Sequence, residues 1–402
     1  MDIRLCAPAD VRALACFSGE MSEDIPAGLG STVTTPLITG FLNCGHEVTL
    51  YTLSRGLDEE RHYRWGNLRV FVGPYRSRNL ARNFFAPEIS YLKRAIDNDH
   101  AHFVHAHWTY EFALAPLRLG VKTLVTIHDL PWKVMRHFGD MYRAVRLAMA
   151  YEVALRGRYF TAVSEDAANH FRRNLCPWGK IAVIPNGLPE WVFEEGLKTR
   201  TKAYGEVVFA TVLQGWTQQK NPKVVLEAFA RVREALPTAR LTMFGTGYEE
   251  CGPARQWAAD RNLDAGVCFI GALPHQELLR RVAEEVDIVV HPALDESFSM
   301  ATVEAMALRK PVIGGANTTG VREVLGGGSC GLLTDVRSYD VLADAMVRLA
   351  RNEAKRSRLS ATGYERAFER YRIAQVIKRY EEQYAAMQQV KLTSAAPGTV
   401  VN

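Results

Sequence analysis

An α/β protein built from two doubly wound domains is what this sequence predicts, and three observations predict it. The chain has 402 residues, the size of two ordinary domains that each bury a core. Short apolar runs alternate with helical patterns along most of it, as parallel strands joined by crossover helices do. Near the middle, Gly187 and Pro189 open a polar stretch reaching Lys202, which reads as an interdomain linker.

Composition bounds the class. The chain is 48% apolar and 23% charged, as soluble globular proteins are. No apolar run approaches the roughly 20 residues of a membrane-spanning helix. The start, Met-Asp-Ile-Arg-Leu-Cys, lacks the apolar core of a signal peptide. Seven scattered cysteines without a C-x-x-C fit reduced cytosolic thiols, and argue against a zinc ribbon or a disulfide scaffold. A net charge of +5 permits contact with an anionic surface without pointing to nucleic acid. The expected location is therefore the cytoplasm.

Taken in order, residues 3–6 form a first strand. Ala27-Gly28-Leu29-Gly30-Ser31 then leads into a helix ending near Gly45, and residues 46–50 form the next strand. Glycines in such a loop let the backbone approach an anion, although a plain Rossmann unit or a tight turn gives the same pattern. Residues 61–94 mix arginines with aromatics (Arg76, Arg78, Arg82, Phe84, Phe85, Tyr91) and read as a helix with a solvated basic face, or as a peripheral membrane contact. Asp97-Asn98-Asp99 is formally a D-x-D metal motif, but directly before the strand at 103–104 it reads as a turn. His105 and His107 share one face of that strand, with no third metal ligand at a useful spacing. The buried strand 121–127 ends in His128-Asp129, at the carboxyl end where an α/β sheet places chemistry. From 133 to 158, six Lys/Arg stand against two acids, and Phe138, Met141, Val145 and Met149 make one stripe of a core-facing helix.

The second half opens with a strand at 207–213. Gly215-Trp216-Thr217-Gln218-Gln219-Lys220-Asn221 follows, then a helix. Strands at 240–244, 267–271 and 286–290 continue the alternation. Pro292 then introduces the most ordered stretch, residues 295–313, where Glu296 and Glu304 stand eight positions apart around small and hydroxylated residues. Glu296 falls on the loop leaving a strand and Glu304 in the first turns of a helix. A helix N-terminus is a ready anion site, and flanking carboxylates accept hydrogen bonds from sugar or ribose hydroxyls. The plainer reading is a loop glutamate and a helix glutamate on a solvated face. Further on come Gly320-x-x-Glu323-Val324, a strand at 331–333, terminal helices carrying Tyr371, Val376, Tyr380 and Tyr384, and a tail from about 390 that reads as disordered.

The run Glu-Ser-Phe-Ser-Met, Glu-Ala-Met-Ala, Lys-Pro-Val-Ile resembles the C-terminal signature of the retaining glycosyltransferases of family 4. The glycine loop, Gly-His-Glu-Val, the Thr-x-His-Asp turn and Ile-Pro-Asn-Gly resemble that family's N-terminal motifs. The resemblance implies the GT-B fold, two Rossmann-like doubly wound domains facing across a cleft. Residues 1–190 would bind the acceptor, 191–370 the nucleotide sugar, and 371–390 would cross back onto the first domain, leaving 391–402 as the tail. It further implies His128 and Glu296 as catalytic, with His128 orienting the donor sugar and Glu296 holding its hydroxyls. Donor binding falls to Gly28, Gly30, Lys220, Ser297, Phe298, Ser299, Met300, Val303 and Glu304, with Lys220 on the diphosphate and Glu304 on the ribose. No metal and no cofactor is expected, since the nucleotide-diphosphate sugar is a substrate. The implied acceptor is a glycan or a lipid-linked molecule in bacterial surface polysaccharide or glycolipid assembly. The implied place of work is the inner face of an anionic membrane. Transfer would retain anomeric configuration without a side-chain nucleophile or general base.

Three positions depart from the family's pattern. Ala27 stands where a glycine is usual, Ser299 likewise, and Trp216 takes the place of an arginine that grips the diphosphate. Lys220 and the helix N-terminus are then expected to hold the diphosphate alone. Two rival readings remain. A nicotinamide oxidoreductase needs an acid about 20 residues past the glycine loop, at the second strand's end. The chain reads Leu50-Tyr51-Thr52-Leu53 there. A non-catalytic binding protein of the same fold is countered by the survival of Glu296, Glu304, Lys220 and His128.

Overall fold

A computed structural model of the chain describes residues 1–198 and 206–393. The first sheet comprises β1 (Asp2–Cys6), β2 (Glu47–Ser54), β3 (Arg61–Trp65), β4 (Leu68–Pro74), β5 (Phe103–His107), β6 (Lys122–Ile127), β7 (Tyr159–Ala162) and β8 (Ile181–Val183). Its order is β3-β4-β2-β1-β5-β6-β7-β8, and β3 alone runs antiparallel to its neighbour. The second sheet holds β9 (Val208–Val212), β10 (Arg240–Phe244), β11 (Val267–Gly271), β12 (Ile288–His291), β13 (Val312–Gly315) and β14 (Leu332–Thr334). It is wholly parallel, in the order β11-β10-β9-β12-β13-β14. Both sheets reverse direction of winding beside their first strand, at β1/β5 and β9/β12. Crevices at the carboxyl ends of strands open at such switch points.

Several expectations are corrected. Residues 61–74 form a β-hairpin, not a helix. Gly66, left-handed at φ 53°, and Asn67 make its two-residue turn, while Tyr63 and Trp65 stack at 5.0 Å on one face. The helix expected from 133 onward is two helices, Pro131–Phe138 and Met141–Arg156. Gly139 ends the first in a left-handed C-cap, and the Asp140 side chain accepts the Arg143 amide at 2.8 Å to start the second. That break turns Phe138 and Met141 outward, 37% and 75% exposed, so only Val145 and Met149 of the stripe reach the core. Part of the presumed linker is the helix Glu190–Lys198, which buries Val192 and Phe193. A Cβ on Gly196 would lie 2.1 Å from the Ala307 carbonyl oxygen, so only glycine lets this helix dock on the second domain. Residues 199–205, including Lys202, lie outside the described residues.

Asp97 and Asn98 do end a helix, Ala86–Asn98. Asp99 accepts the Tyr51 hydroxyl at 2.6 Å and faces Arg69 and Arg4, a structural use of the carboxylate. After the second domain, the chain returns. Helix Ile373–Thr393 packs Val376, Ile377, Tyr380 and Tyr384 into the first domain's core with Leu37 and Phe41. The two crossings run side by side, with the Leu188 amide donating to the Tyr371 carbonyl at 2.7 Å and the Ile373 amide to that of Leu188 at 2.8 Å. The tail expected to be disordered lies, from 394 on, outside the described residues. No helix among the described residues is long and apolar enough to cross a membrane.

Candidate active site between the domains

A cleft of about 320 Å³ opens where the carboxyl ends of the two sheets meet. The first domain lines it with Tyr110, Asp129, Lys133, Phe138, Tyr142, Arg143 and Arg146, the second with Gln219, Lys220, Asp295, Glu296 and Ser297.

The second-domain wall is braced from below. Thr318 Oγ1 donates to the Ala293 carbonyl at 2.6 Å, the Leu294 amide to the Gln219 carbonyl at 2.9 Å, and Gln219 Nε2 to the Asp295 carbonyl at 3.1 Å. Lys220 sits on the turn before helix Pro222–Ala235, and its Nζ lies 2.5 Å from Glu296 Oε1. His291, at the end of β12, comes within 3.4 Å of the same oxygen. Burial alone would raise the Glu296 carboxyl. The Lys220 charge and the His291 hydrogen bond overcome it and hold the group at about 2. Glu296 is therefore a carboxylate at any ordinary pH.

Ser299 explains its own departure. Its φ of 79° is left-handed, the backbone that makes glycine common there. Serine holds that geometry with Oγ 2.8 Å from Thr302 Oγ1 and 3.2 Å from His291 Nε2. Helix Met300–Ala307 starts immediately after, without a side-chain cap. Glu304, 5% exposed, points an oxygen at His275 Nε2, 2.7 Å away. Burial lowers the affinity of His275 for a proton, but Glu304 outweighs it and raises the pKa.

Other expected donor residues are used differently. The Gly28 amide donates to Ser54 Oγ and the Gly30 amide to the Ala9 carbonyl, each at 3.1 Å. A Cβ on Gly28 would lie 2.2 Å from the Ala9 oxygen, which accounts for that glycine by packing. Phe298 stands edge-on to Tyr371 at 5.4 Å and Val303 is fully buried, so both side chains belong to the core. Met300 is half-buried against that core, and Ser297 reaches the cleft. Trp216 packs edge-on to Tyr248 at 6.0 Å and beside Trp257 at 5.8 Å, so the ring that replaces the arginine has a packing role.

His128 is not among the residues lining the cleft but precedes Asp129, which is; it is 6% exposed, stacks on Trp108 at 4.2 Å and lies 2.9 Å through Nε2 from His107 Nδ1. Burial, then the His107 charge, push its pKa well down, so it is neutral. Beside it, guanidinium groups and rings alternate. Arg143 lies over Phe138 at 4.4 Å and Tyr142 at 5.1 Å; Arg146 lies over Tyr142 at 5.5 Å and Tyr110 at 3.7 Å. Arg146 Nη1 donates to the Tyr142 hydroxyl at 2.8 Å, while its buried Nε has no partner. Burial raises the carboxyls of Glu111 and Asp129 nearby, against the pull of Arg146.

Side chains tie the walls together. Asp295 pairs with Lys133 at 3.0 Å and His137 at 2.7 Å, and Ser164 Oγ donates to the Ser297 carbonyl. Glu323 accepts the Glu165 amide at 3.0 Å at the N-terminus of helix Glu165–Asn174. His275, His291, Asp295 and the Arg143–Arg146 ladder were not singled out by sequence. Only His291, next to Pro292 at a strand end, carried a local signal.

Residues 30–190 match the family model described as Glycosyltransferase Family 4, and 198–366 the one described as Glycosyl transferases group 1. N-acetyl-alpha-D-glucosaminyl L-malate synthase of Bacillus anthracis is 24% identical over 72% of this chain and 74% of its own length. D-inositol 3-phosphate glycosyltransferase of a Nocardioides species is 32% identical, over 37% of this chain and 35% of its own length. Among solved structures, sucrose-phosphate synthase from Thermosynechococcus elongatus superposes with a TM-score of 0.76 at 17% identity, covering 97% of this chain and all of that one. Anabaena Alr3699/HepE in complex with UDP-glucose gives 0.67 at 16% identity, covering 96% of this chain and all of that one. With each half matched by its own family model around one cleft, the chain belongs to the family 4 glycosyltransferases of the GT-B fold.

Proposed function

We propose that this glycosyltransferase takes a sugar from a nucleotide-diphosphate donor and passes it, with retention, to a hydroxyl of a glycan or lipid-linked acceptor. The observation that carries the reading is the Lys220–Glu296 pair, 2.5 Å apart at the cleft floor beside the uncapped start of helix Met300–Ala307. An incoming diphosphate offers Lys220 a second anion, and the helix amides offer it hydrogen bonds. Glu296, ionised throughout, accepts from donor-sugar hydroxyls, and the free oxygen of Glu304 accepts from the ribose. The bond from the anomeric carbon to the diphosphate oxygen breaks and a bond to the acceptor oxygen forms on the same face. The acceptor proton goes to the leaving phosphate. Lys220 supplies the cation the diphosphate needs, and Asp99 is engaged elsewhere, so we expect turnover without a metal.

The Arg143–Arg146 ladder favours an acceptor that carries an anionic group beside a sugar ring, as a phosphate-linked lipid does. A second reading, a small acidic acceptor, draws on the same guanidinium groups and on the malate and inositol 3-phosphate in the relatives' names. Exposed Phe84, Trp132 and Met141 would rest on an anionic membrane. Assembly of surface polysaccharide or lipopolysaccharide is the pathway this combination fits. The test is to incubate the protein with a panel of nucleotide sugars and candidate acceptors, with and without EDTA, reading nucleoside diphosphate release and the product's anomeric configuration by NMR. Release with the donor's anomeric configuration kept in the product, and surviving EDTA, is expected. An inverted product, or activity abolished by EDTA and restored by Mn²⁺, overturns the corresponding part.

A further inference from the structure

Two neutral imidazoles share one hydrogen bond behind the cleft. His107 Nδ1 and His128 Nε2 are 2.9 Å apart, and both residues are buried. A single proton lies between them, so one ring donates and the other accepts. Which ring donates fixes the state of His128 Nδ1, the nitrogen left for a ligand. If His128 donated, the His107 proton would sit on its own Nε2. That nitrogen is buried and has no partner, so it would be an orphaned buried N–H. Orphaned buried donors are among the rarest features of native structures. If His107 donates, its Nε2 is a bare ring nitrogen and no N–H is stranded.

The surroundings hold His107 in that role. Its ring lies 4.2 Å from that of His105, whose nitrogens are engaged by the Tyr384 hydroxyl at 2.8 Å and Thr126 Oγ1 at 2.7 Å. Trp108 follows in a left-handed backbone at φ 65°, which lays its indole flat against His128. The imidazole of His128 is thus clamped on a face and at one nitrogen.

We infer that His107 is a positioning residue that fixes His128 as the Nδ1–H tautomer, so that His128 offers the cleft a hydrogen-bond donor and never an acceptor. Its partner is then an oxygen with a lone pair, on the donor sugar or the departing phosphate, and His128 takes no proton from the acceptor. The role rests on the reading of the cleft given above; the tautomer does not.

The experiment is ¹⁵N NMR of the full chain labelled at its 11 histidines, with the His128 signals identified by their loss in His128→Gln. The expected result is a proton on Nδ1 and a bare Nε2. His107→Asn, whose amide N–H can stand near the place of Nδ1, should keep that pattern and most of kcat. His107→Leu should give mixed tautomers and lower kcat on the order of tenfold, the usual scale for losing a partner that orients an imidazole. A native His128 protonated on Nε2 overturns the inference. So does an equal loss in the Asn and Leu variants when both melt like the native protein. Should the Leu variant fail to fold, the native spectrum and the Asn variant still decide. Failure of transfer with every nucleotide sugar would instead count against the proposed function, with the tautomer still readable.

Discussion

The second-domain wall holds its charges in pairs, Lys220 with Glu296 and His275 with Glu304. The first-domain wall holds Arg146 between tyrosine rings, its charge balanced at longer range by Glu111 and Asp129, and pairs Arg143 with Asp140 at 2.7 Å. The difference is one of readiness. Paired charges form a floor whose members are fixed before a ligand arrives, as electrostatic preorganisation requires. A guanidinium clamped by rings, with no carboxylate among the described residues bonded directly to it, keeps its buried Nε without a partner.

The largest effect should come from breaking the floor. Glu296→Ala leaves the Lys220 charge alone in a mostly buried place and removes the acceptor of sugar hydroxyls. We expect kcat to fall about 100-fold, the scale of a lost charged hydrogen bond of roughly 3 kcal/mol. Glu304→Ala should act mainly on donor KM. Steady-state kinetics with the best donor of the panel would separate the two, and native kcat in Glu296→Ala would dismiss the floor as the reacting site.

Arg146→Met tests the other wall. It keeps the stem that packs on Tyr110 and removes the donors. Acceptor KM should rise about tenfold, or roughly 1.4 kcal/mol, with donor KM unchanged. A loss in donor affinity instead would mean that the two walls are not divided by substrate.

How far each wall was legible follows from how it is made. The floor's carboxylates fall in one stretch, from His291 to Glu304, so their spacing survives in the sequence, while Lys220 and His275 reach them from elsewhere in the chain. The first-domain wall is assembled from β5, β6 and two helices. Nothing local announces that Tyr110, Tyr142 and Arg146 will interleave. The strands read well because they are short apolar runs, and the β3–β4 hairpin was lost because its Arg-rich outer strand hides the alternation. Gly66-Asn67 was the signal available. At the glycine loop, positive φ at Gly28 goes with close packing on Ala9, and sequence does not say where an amide is aimed.

Trp216→Arg sharpens the comparison from the floor's side. The indole packs on Tyr248 and Trp257, so its loss should lower Tm by a few degrees, as a lost aromatic contact of about 1 kcal/mol does. A guanidinium there adds a second cation near Lys220 and should tighten UDP about fivefold, or roughly 1 kcal/mol. Calorimetric titration with UDP at fixed ionic strength reads it. Unchanged affinity in the folded variant would mean that Lys220 and the helix N-terminus grip the diphosphate without help.

Acid should separate the walls by sign, and this is the smallest effect. Burial lowers the pKa of His107 to about 3 and also lowers that of His128. The unfolded chain binds those protons near pH 6.5 and the folded one does not, so the first domain loses stability as pH falls below about 6.5. His275 runs the other way. Burial opposes its protonation but Glu304 prevails, so its folded pKa lies above the unfolded value. Its contribution is complete below about pH 6.5 and is lost as pH rises through the folded pKa. A partly exposed pair of this kind is worth about 0.5 kcal/mol, which is a Tm difference of about 0.5–1 °C in a chain of this size. Melting His275→Gln beside the native protein from pH 6 to pH 9 should therefore show a gap that is widest at the acid end and closes at the alkaline end. A gap that is constant across the range would make His275 a packing residue, and Glu304 would then face the ribose without a charged partner.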